Sequence, residues 1–211
     1  MPARLLPSPL YAILDTSLAK GRSPMAVLGE FLKAGVKLVQ LRGKELSSAE
    51  FFALAKDARQ LTREAGVMFI VNDRADIALA VGADGVHLGQ DDLPLAAARK
   101  ILGRENIIGI STHDLAQARN TEQGGADYIG FGPIFGTATK DTGYTPRGLE
   151  MLREIKQAVK IPIVAIGGIN ESNVAEVWKT GADAAAIISD LMAAENPAQK
   201  VRKILTAAAW K

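Results

Sequence analysis

Hydrophobic residues form eight short aliphatic segments along the chain, with longer stretches of helical pattern between them. The segments cover residues 11–15, 38–42, 68–73, 85–89, 107–112, 128–133, 162–168 and 184–189. In the stretch 47–65, apolar residues recur at spacings of three and four, as Phe51, Ala55 and Ala58 do. The pattern predicts eight strands, each followed by a helix.

Three of the predicted helices begin after residues that commonly cap a helix. Ser23 precedes Pro24, Ser47 is followed by a glutamate three positions later, and Asn170 precedes Glu171. Side chains of this kind accept hydrogen bonds from the free backbone amides of a first helical turn. We therefore expect helices to start directly after these three positions.

Strict alternation of strand and helix, with strands apolar on both faces, favours parallel pairing and right-handed crossovers. Eight such units close naturally into an α/β fold of the (β/α)₈ type, a TIM barrel. Such barrels usually have about 250 residues, so this chain of 211 residues needs short loops and short helices. No linker interrupts the pattern, and we expect one domain over residues 1–211. An open doubly wound sheet is the alternative.

Composition narrows the class of function. Hydrophobic residues make up 48% of the chain and charged residues 23%, which is ordinary for a soluble globular protein. With 25 basic against 23 acidic residues, the chain is too balanced for sequence-independent binding of nucleic acid. It has no cysteine and two histidines, which excludes disulfides, thiolate sites and multi-histidine zinc sites.

The expected partners are small molecules rather than nucleic acid or a membrane. No apolar run reaches about 18 residues, and the chain does not start with a basic segment followed by an apolar one. A cytoplasmic protein is the simplest interpretation. The oligomeric state stays open, with a homo-oligomer among the alternatives.

Polar residues concentrate where the predicted strands end, which is where barrel enzymes carry their chemistry. In chain order they are Asp15, Gln40, Arg42, Lys44, Asn72, Asp73, Gln90, Asp91, Asp92, Ser111, His113, the segment 132–140, Gly167, Gly168 and Ser189. The placement predicts a functional site at the carboxyl-terminal mouth of the barrel.

The second strand carries two cations and an amide on one face. Because side chains alternate along a strand, Gln40, Arg42 and Lys44 share one face and the apolar residues between them take the other. Two cations and an amide at the barrel mouth suit a polyanion such as diphosphate. In the alternative interpretation, this is a solvated strand end whose cations merely pair with carboxylates.

Two aspartates follow the third and fourth strands. Asp73 and Asp92, without histidine or cysteine partners, suit a hard cation such as Mg²⁺ that also binds substrate phosphates. Asp91 directly precedes Asp92, so at most one of these two faces the site. Helix capping or surface ion pairs would explain each aspartate equally well.

The last two strand ends predict a different anion site. Gly167 with Gly168, and Ile188 with Ser189, precede helical segments and can direct backbone N–H groups at a phosphate monoester. A pair of glycines is also common wherever a strand turns tightly into a helix. His87 lies on the predicted inner face and is interpreted as a hydrogen-bonded core residue without a catalytic role.

Taken in order, several of these segments resemble the thiamine phosphate synthase family over nearly the whole chain. The matching segments are residues 40–44, 71–73, 85–92, 109–111, 132–135, 137–140, 165–169 and 187–189. Each is weak alone, whereas their joint order and spacing is specific. The resemblance implies a transferase that joins 4-amino-2-methyl-5-hydroxymethylpyrimidine diphosphate to a thiazole phosphate or its carboxylated form, releasing diphosphate.

The resemblance also implies which residues form the site. The pyrimidine diphosphate would be held by Gln40, Leu41, Arg42, Gly43, Lys44, Asn72, Ser111 and Lys140. The thiazole phosphate would be held by Thr137, Ala138, Thr139, Gly168, Ile188 and Ser189. Asp73 and Asp92 would ligate Mg²⁺, and Arg42, Lys44 and Lys140 would be the catalytic cations. Gly136 stands where many family members have proline, which predicts a more mobile loop.

Three alternatives use the same scaffold differently. A thiazole tautomerase would bind the carboxythiazole phosphate and would not need the cations and aspartates together. A phosphosugar epimerase or aldolase would explain the last two strand ends but predicts a lysine or an acid/base pair inside the barrel. A sensor of thiamine precursors would bind both compounds and release no diphosphate.

Overall fold

The computed structural model describes residues 5–136 and 143–208, and it confirms the predicted barrel. Eight parallel strands pair in chain order and close between the last and the first. The strands are β1 Leu10–Asp15, β2 Leu38–Arg42, β3 Met68–Asn72, β4 Gly85–Leu88, β5 Ile107–Thr112, β6 Tyr128–Phe131, β7 Ile163–Ile166 and β8 Ala184–Ile187. Every predicted segment coincides with one strand to within a few residues at each end, and the open-sheet alternative is wrong.

Helices follow each strand on the outside of the barrel. A short 3₁₀ helix, Thr16–Leu18, precedes the first of them. The α-helices are α1 Pro24–Lys33, α2 Ser48–Glu64, α3 Ala75–Val81, α4 Leu95–Leu102, α5 Leu115–Gln123, α6 Gly148–Ala158, α7 Val174–Trp178, α8 Ser189–Met192 and α9 Pro197–Ala207. No helix in the described part of the chain is both long and apolar enough to cross a membrane.

The three predicted helix caps have different outcomes. Ser47 caps α2 as expected, accepting from the Glu50 amide while the Glu50 carboxylate accepts from the Ser47 amide. Ser23 occupies the capping position of α1, but its side chain makes no capping hydrogen bond. The predicted start after Asn170 is wrong, because α7 begins at Val174. The Asn170 side chain instead accepts from the Ser172 amide and hydroxyl, which forms a local turn.

Two separate apolar cores hold the barrel together. The larger lies between strands and helices and includes Val39 and Leu41 of β2, both fully buried. The smaller fills the barrel interior and includes Tyr11, Leu38 and Tyr128. Alternate residues of β2 therefore enter different cores, as the period of two predicts. Because the outward positions are apolar, the polar residues of β2 face the interior and its carboxyl-terminal mouth.

Candidate functional site

A cavity opens at the carboxyl-terminal end of the barrel strands. It measures about 990 Å³ including its open mouth, which is enough for a two-ring ligand. Its lining comprises Tyr11, Ile13, Gln40, Arg42, Asn72, His87, Ser111, His113, Gly130, Gly132, Pro133, Val164, Ile166, Gly167, Gly168, Ile169, Ala186, Ile188 and Ser189. All eight strands contribute residues from within their own span, and the segments that follow them supply the rest.

Seven of the predicted substrate-binding residues line this cavity together. They are Gln40, Arg42, Asn72, Ser111, Gly168, Ile188 and Ser189. Leu41, Gly43 and Lys44 do not line it. The Leu41 side chain is buried in the outer core, so only its backbone is available to a ligand at the mouth. The remaining predicted residues Thr137, Ala138, Thr139 and Lys140 lie outside the described residues.

Arg42 projects from the end of β2 and forms an ion pair with Asp15. The register of β1 and β2 places these two residues opposite each other. Asp15 is 1% exposed and Arg42 16%, and the Asp15 carboxylate also accepts from the Ser17 amide at 3.0 Å and the Ser17 hydroxyl at 2.7 Å. The aspartate is therefore held in place and holds the guanidinium in turn, while other guanidinium donors stay available at the cavity wall.

Lys44, Asp73 and Asp92 form a charged cluster beside the cavity, directly after Asn72. The Lys44 ammonium lies 2.5 Å from the Asp73 carboxylate. Burial raises the pKa of Asp73 above its ordinary value, the neighbouring Asp92 carboxyl raises it further, and Lys44 lowers it. Asp92 also accepts a hydrogen bond of 2.7 Å from the Gly89 amide, which fixes the turn after β4. The two carboxyl groups therefore lie close enough to interact, and Lys44 offsets part of their negative charge.

Asp73 has an unusual backbone conformation, with φ at +63°. A non-glycine residue in the left-handed region costs about 1 kcal/mol, although aspartate tolerates it better than most. Its amide donates to the His87 carbonyl at 2.8 Å, which ties the end of β3 to β4. The Asp73 carboxylate lies in the charged cluster, and strained backbone of this kind is common at functional positions.

The charged cluster and the nearby ion pair fit a divalent cation. Among the described residues at this rim, Arg42 and Lys44 face three carboxylates, so the local charge is minus one. Within residues 5–136 and 143–208, no three histidine or carboxylate side chains are grouped as a complete metal site. Mg²⁺ is typically held by one or two carboxylates plus substrate phosphates, and Asp73 with Asp92 supply that number.

The opposite side of the mouth, after β7 and β8, is built from backbone. Gly167 and Gly168 have φ values of +100° and +64°. A Cβ at Gly168 would lie 2.5 Å from the Gly136 carbonyl oxygen, so only glycine fits there without a shift. These two glycines, which have only main-chain groups to offer, line the cavity together with Ile188 and Ser189. This arrangement suits a phosphate group bound by amides.

The structure adds a buried polar network that the sequence interpretation missed. Tyr11 and Tyr128, 117 positions apart, meet inside the barrel with their hydroxyl oxygens 3.1 Å from each other. His87 lies on the inner face, as predicted, and its ring contacts both Tyr128 and Ser111. In the sequence, the signal for this network is the pair of glycines Gly109 and Gly130, which leave space inside the barrel for bulky inward side chains.

Comparisons of this chain with a family model, with related sequences and with a solved structure agree on one family. The family model described as thiamine monophosphate synthase matches residues 10–191. A thiamine-phosphate synthase from Syntrophomonas wolfei is 51% identical, over 92% of this chain and 95% of its own. One from Moorella thermoacetica is 48% identical over 96% and 98%. The solved thiamine phosphate pyrophosphorylase from Pyrococcus furiosus superposes with a TM-score of 0.86 at 41% identity, covering 94% of each chain.

Proposed function

This chain belongs to the thiamine monophosphate synthase family, and we propose that its cavity binds the pyrimidine diphosphate on the β2–β4 side and the thiazole phosphate on the β7–β8 side. The protein is a transferase that makes thiamine phosphate. Its substrates are 4-amino-2-methyl-5-hydroxymethylpyrimidine diphosphate and 4-methyl-5-(2-hydroxyethyl)thiazole phosphate, or the carboxylated form of that thiazole. Diphosphate is the second product.

One observation carries this assignment of sides. Arg42 and the cluster of Lys44, Asp73 and Asp92 stand along one rim of a cavity whose other described lining residues are uncharged or histidine. A diphosphate carries more negative charge than a phosphate monoester and therefore suits the rim with Arg42 and Lys44, where Mg²⁺ held by Asp73 and Asp92 would offset the carboxylates. The opposite rim, with Gly168 and Ser189, suits the monoester.

The reaction exchanges one bond to the pyrimidine methylene carbon. The bond from this carbon to a diphosphate oxygen breaks, and its electron pair leaves with diphosphate. The amino group of the pyrimidine delocalises the resulting positive charge, and the lone pair of the thiazole nitrogen forms the new C–N bond. We infer this dissociative order because the chemistry needs no general base, only charge stabilisation and alignment.

The protein's own residues stabilise the departing group. Arg42 donates hydrogen bonds from a guanidinium that Asp15 orients, so no reorganisation is needed as negative charge accumulates. Lys44, paired with Asp73, adds a second cation at this rim. Lys140 is assigned the same role by the family resemblance, and it lies outside the described residues.

Asp73 and Asp92 would hold Mg²⁺, which when bound neutralises part of the charge on the diphosphate. The ion pair with Lys44 holds the Asp73 carboxylate at the rim when no metal is bound. Asn72, one residue earlier, faces the cavity and offers an amide to the same phosphate groups.

The decisive experiment supplies the purified protein with both precursors and Mg²⁺ and measures thiamine phosphate by mass together with released diphosphate. Both products should appear in equal amounts, and omission of either precursor should abolish both. A tautomerase would change only the carboxythiazole phosphate, and a sensor would bind both compounds with no product. An aldolase or epimerase is disfavoured because no lysine or carboxylate lines the cavity among the described residues.

A further inference from the structure

Five side chains from five strands form a continuous hydrogen-bonded chain across the barrel interior. The Gln40 amide nitrogen lies 2.8 Å from the Tyr11 hydroxyl, which lies 3.1 Å from the Tyr128 hydroxyl. Tyr128 is 3.0 Å from Nδ1 of His87, and Nε2 of His87 is 2.9 Å from the Ser111 hydroxyl. Both ends, Gln40 and Ser111, line the substrate cavity.

The amide nitrogen of Gln40 sets the direction of every hydrogen bond in this series. The amide nitrogen of Gln40 only donates, so the Tyr11 hydroxyl accepts from it and gives its own proton to Tyr128. Tyr128 then gives its proton to Nδ1 of His87. The His87 ring is therefore neutral with its proton on Nε2, and this proton goes to the Ser111 oxygen.

The reverse direction would leave a buried proton without an acceptor. In that case Tyr11 would accept from both Gln40 and Tyr128, and its own hydroxyl proton would have no partner among the described residues. Tyr11 is 1% exposed, so water cannot compensate. Burial raises the pKa of both tyrosines well above the ordinary value, so each keeps the single proton on which the directed chain depends.

Neighbouring strands are shaped around the two rings in the middle of this chain. A Cβ at Gly109 would lie 2.0 Å from the Tyr128 ring, and one at Gly130 would lie 2.9 Å from the His87 ring. The His87 and Tyr128 rings stack with centroids 5.5 Å apart. Because glycines in β5 and β6 leave room for the two rings and their neighbours pack around them, the rings have a fixed position in the barrel.

We propose that Tyr11, Tyr128 and His87 are positioning residues that fix the Ser111 hydroxyl as a hydrogen-bond donor, and the Gln40 side-chain oxygen as an acceptor, toward the substrate cavity. Ser111 receives from His87 and so keeps its own proton for a ligand. Gln40 uses its amide nitrogen on Tyr11 and keeps its oxygen. One donor and one acceptor complement an aminopyrimidine edge, which offers a ring nitrogen and an amino group. This role rests on the proposed function.

The first test needs no turnover, so its failure is distinguishable from failure of the proposed activity. The chain has two histidines, and each reports a tautomer by ¹⁵N NMR at neutral to mildly alkaline pH. His113 lies 2.6 Å from the Gly132 carbonyl through Nδ1, so it carries its proton there, and His87 should carry it on Nε2. His113→Gln assigns the two signals. A His87 ring protonated on Nδ1, or on both nitrogens, would overturn the proposal.

Tyr128→Phe breaks the chain at its centre with little change of shape. His87 then loses the donor at Nδ1, so its Nδ1 resonance should move toward that of an unbonded imidazole nitrogen, and no hydrogen bond any longer fixes the tautomer that donates to Ser111. We expect kcat/KM for the pyrimidine diphosphate to fall about tenfold, the worth of one hydrogen bond, with KM for the thiazole phosphate unchanged. An unchanged His87 signal in this variant would contradict the relay.

A double-mutant cycle separates positioning from general loss of stability. If Tyr128 acts through Ser111, the double variant Tyr128→Phe with Ser111→Ala should be no slower than Ser111→Ala alone. Thr62→Val, which removes a fully buried hydroxyl within α2, controls for destabilisation without a route to the cavity. Multiplicative losses in the double variant, or an equal rate loss in the Thr62 variant, would show a merely structural effect.

Discussion

The two rims of the cavity solve the binding of phosphate by different means. After β2 to β4, the rim carries charged side chains, in which Arg42 forms an ion pair with Asp15 and Lys44 with Asp73. After β7 and β8, the described lining residues are uncharged, and glycine backbone replaces side chains. The diphosphate gains charge on one oxygen as it departs, whereas the thiazole phosphate stays unchanged through the reaction. Charged donors therefore stand where charge changes, and neutral amides where it does not.

The largest effect on the reaction rate should follow from removing Arg42 at the charged rim. Arg42→Ala should lower kcat by about 10²-fold to 10³-fold, because one preorganised donor to the accumulating charge is lost. Single-turnover release of diphosphate measures this step directly. Arg153→Ala, at an exposed position on α6, is the matched control and should leave the rate unchanged. A normal rate in the Arg42 variant would remove the distinction between the rims.

The partner of that cation should affect stability more than affinity. Asp15→Ala leaves the Arg42 guanidinium largely buried without its carboxylate, which we expect to lower the free energy of unfolding by about 2 kcal/mol. The value is set below that of a fully buried pair because Arg42 keeps some exposure. Urea denaturation measures it. The double variant Asp15→Ala with Arg42→Ala should recover part of the loss, and additive losses would show that the two residues act independently.

Substitution of a proposed Mg²⁺ ligand at the same rim should have a smaller effect. Asp92→Asn keeps an oxygen for the Gly89 amide but lowers the charge beside Asp73, so the Mg²⁺ concentration for half-maximal rate should rise about tenfold. Titration of the initial rate with Mg²⁺ measures it. Asp91→Asn changes the adjacent, exposed carboxylate and should titrate as the unaltered protein does. Identical titrations for both variants would exclude Asp92 as a ligand.

The barrel and the face on which each strand residue lies could be predicted from the sequence, and the pairing of side chains from different strands could not. The period of two in β2 separated Gln40 and Arg42 from Leu41 correctly, because strand geometry alone sets it. The pairing of Arg42 with Asp15 depends on the register of two strands, which periodicity does not specify. The meeting of Tyr11 with Tyr128 depends on closure of the barrel.

The smallest effect tests the neutral rim. Gly168→Ala forces a left-handed alanine against the Gly136 carbonyl, so we expect KM for the thiazole phosphate to rise roughly fivefold, equivalent to about 1 kcal/mol. KM for the pyrimidine diphosphate should stay the same. Gly66→Ala is the matched control, because Gly66 has a similar φ of +62° and open space around it. Both variants carry the backbone strain, so only a loss confined to the Gly168 variant reflects the phosphate site. Equal changes in both Michaelis constants would mean that the rims do not bind separate substrates.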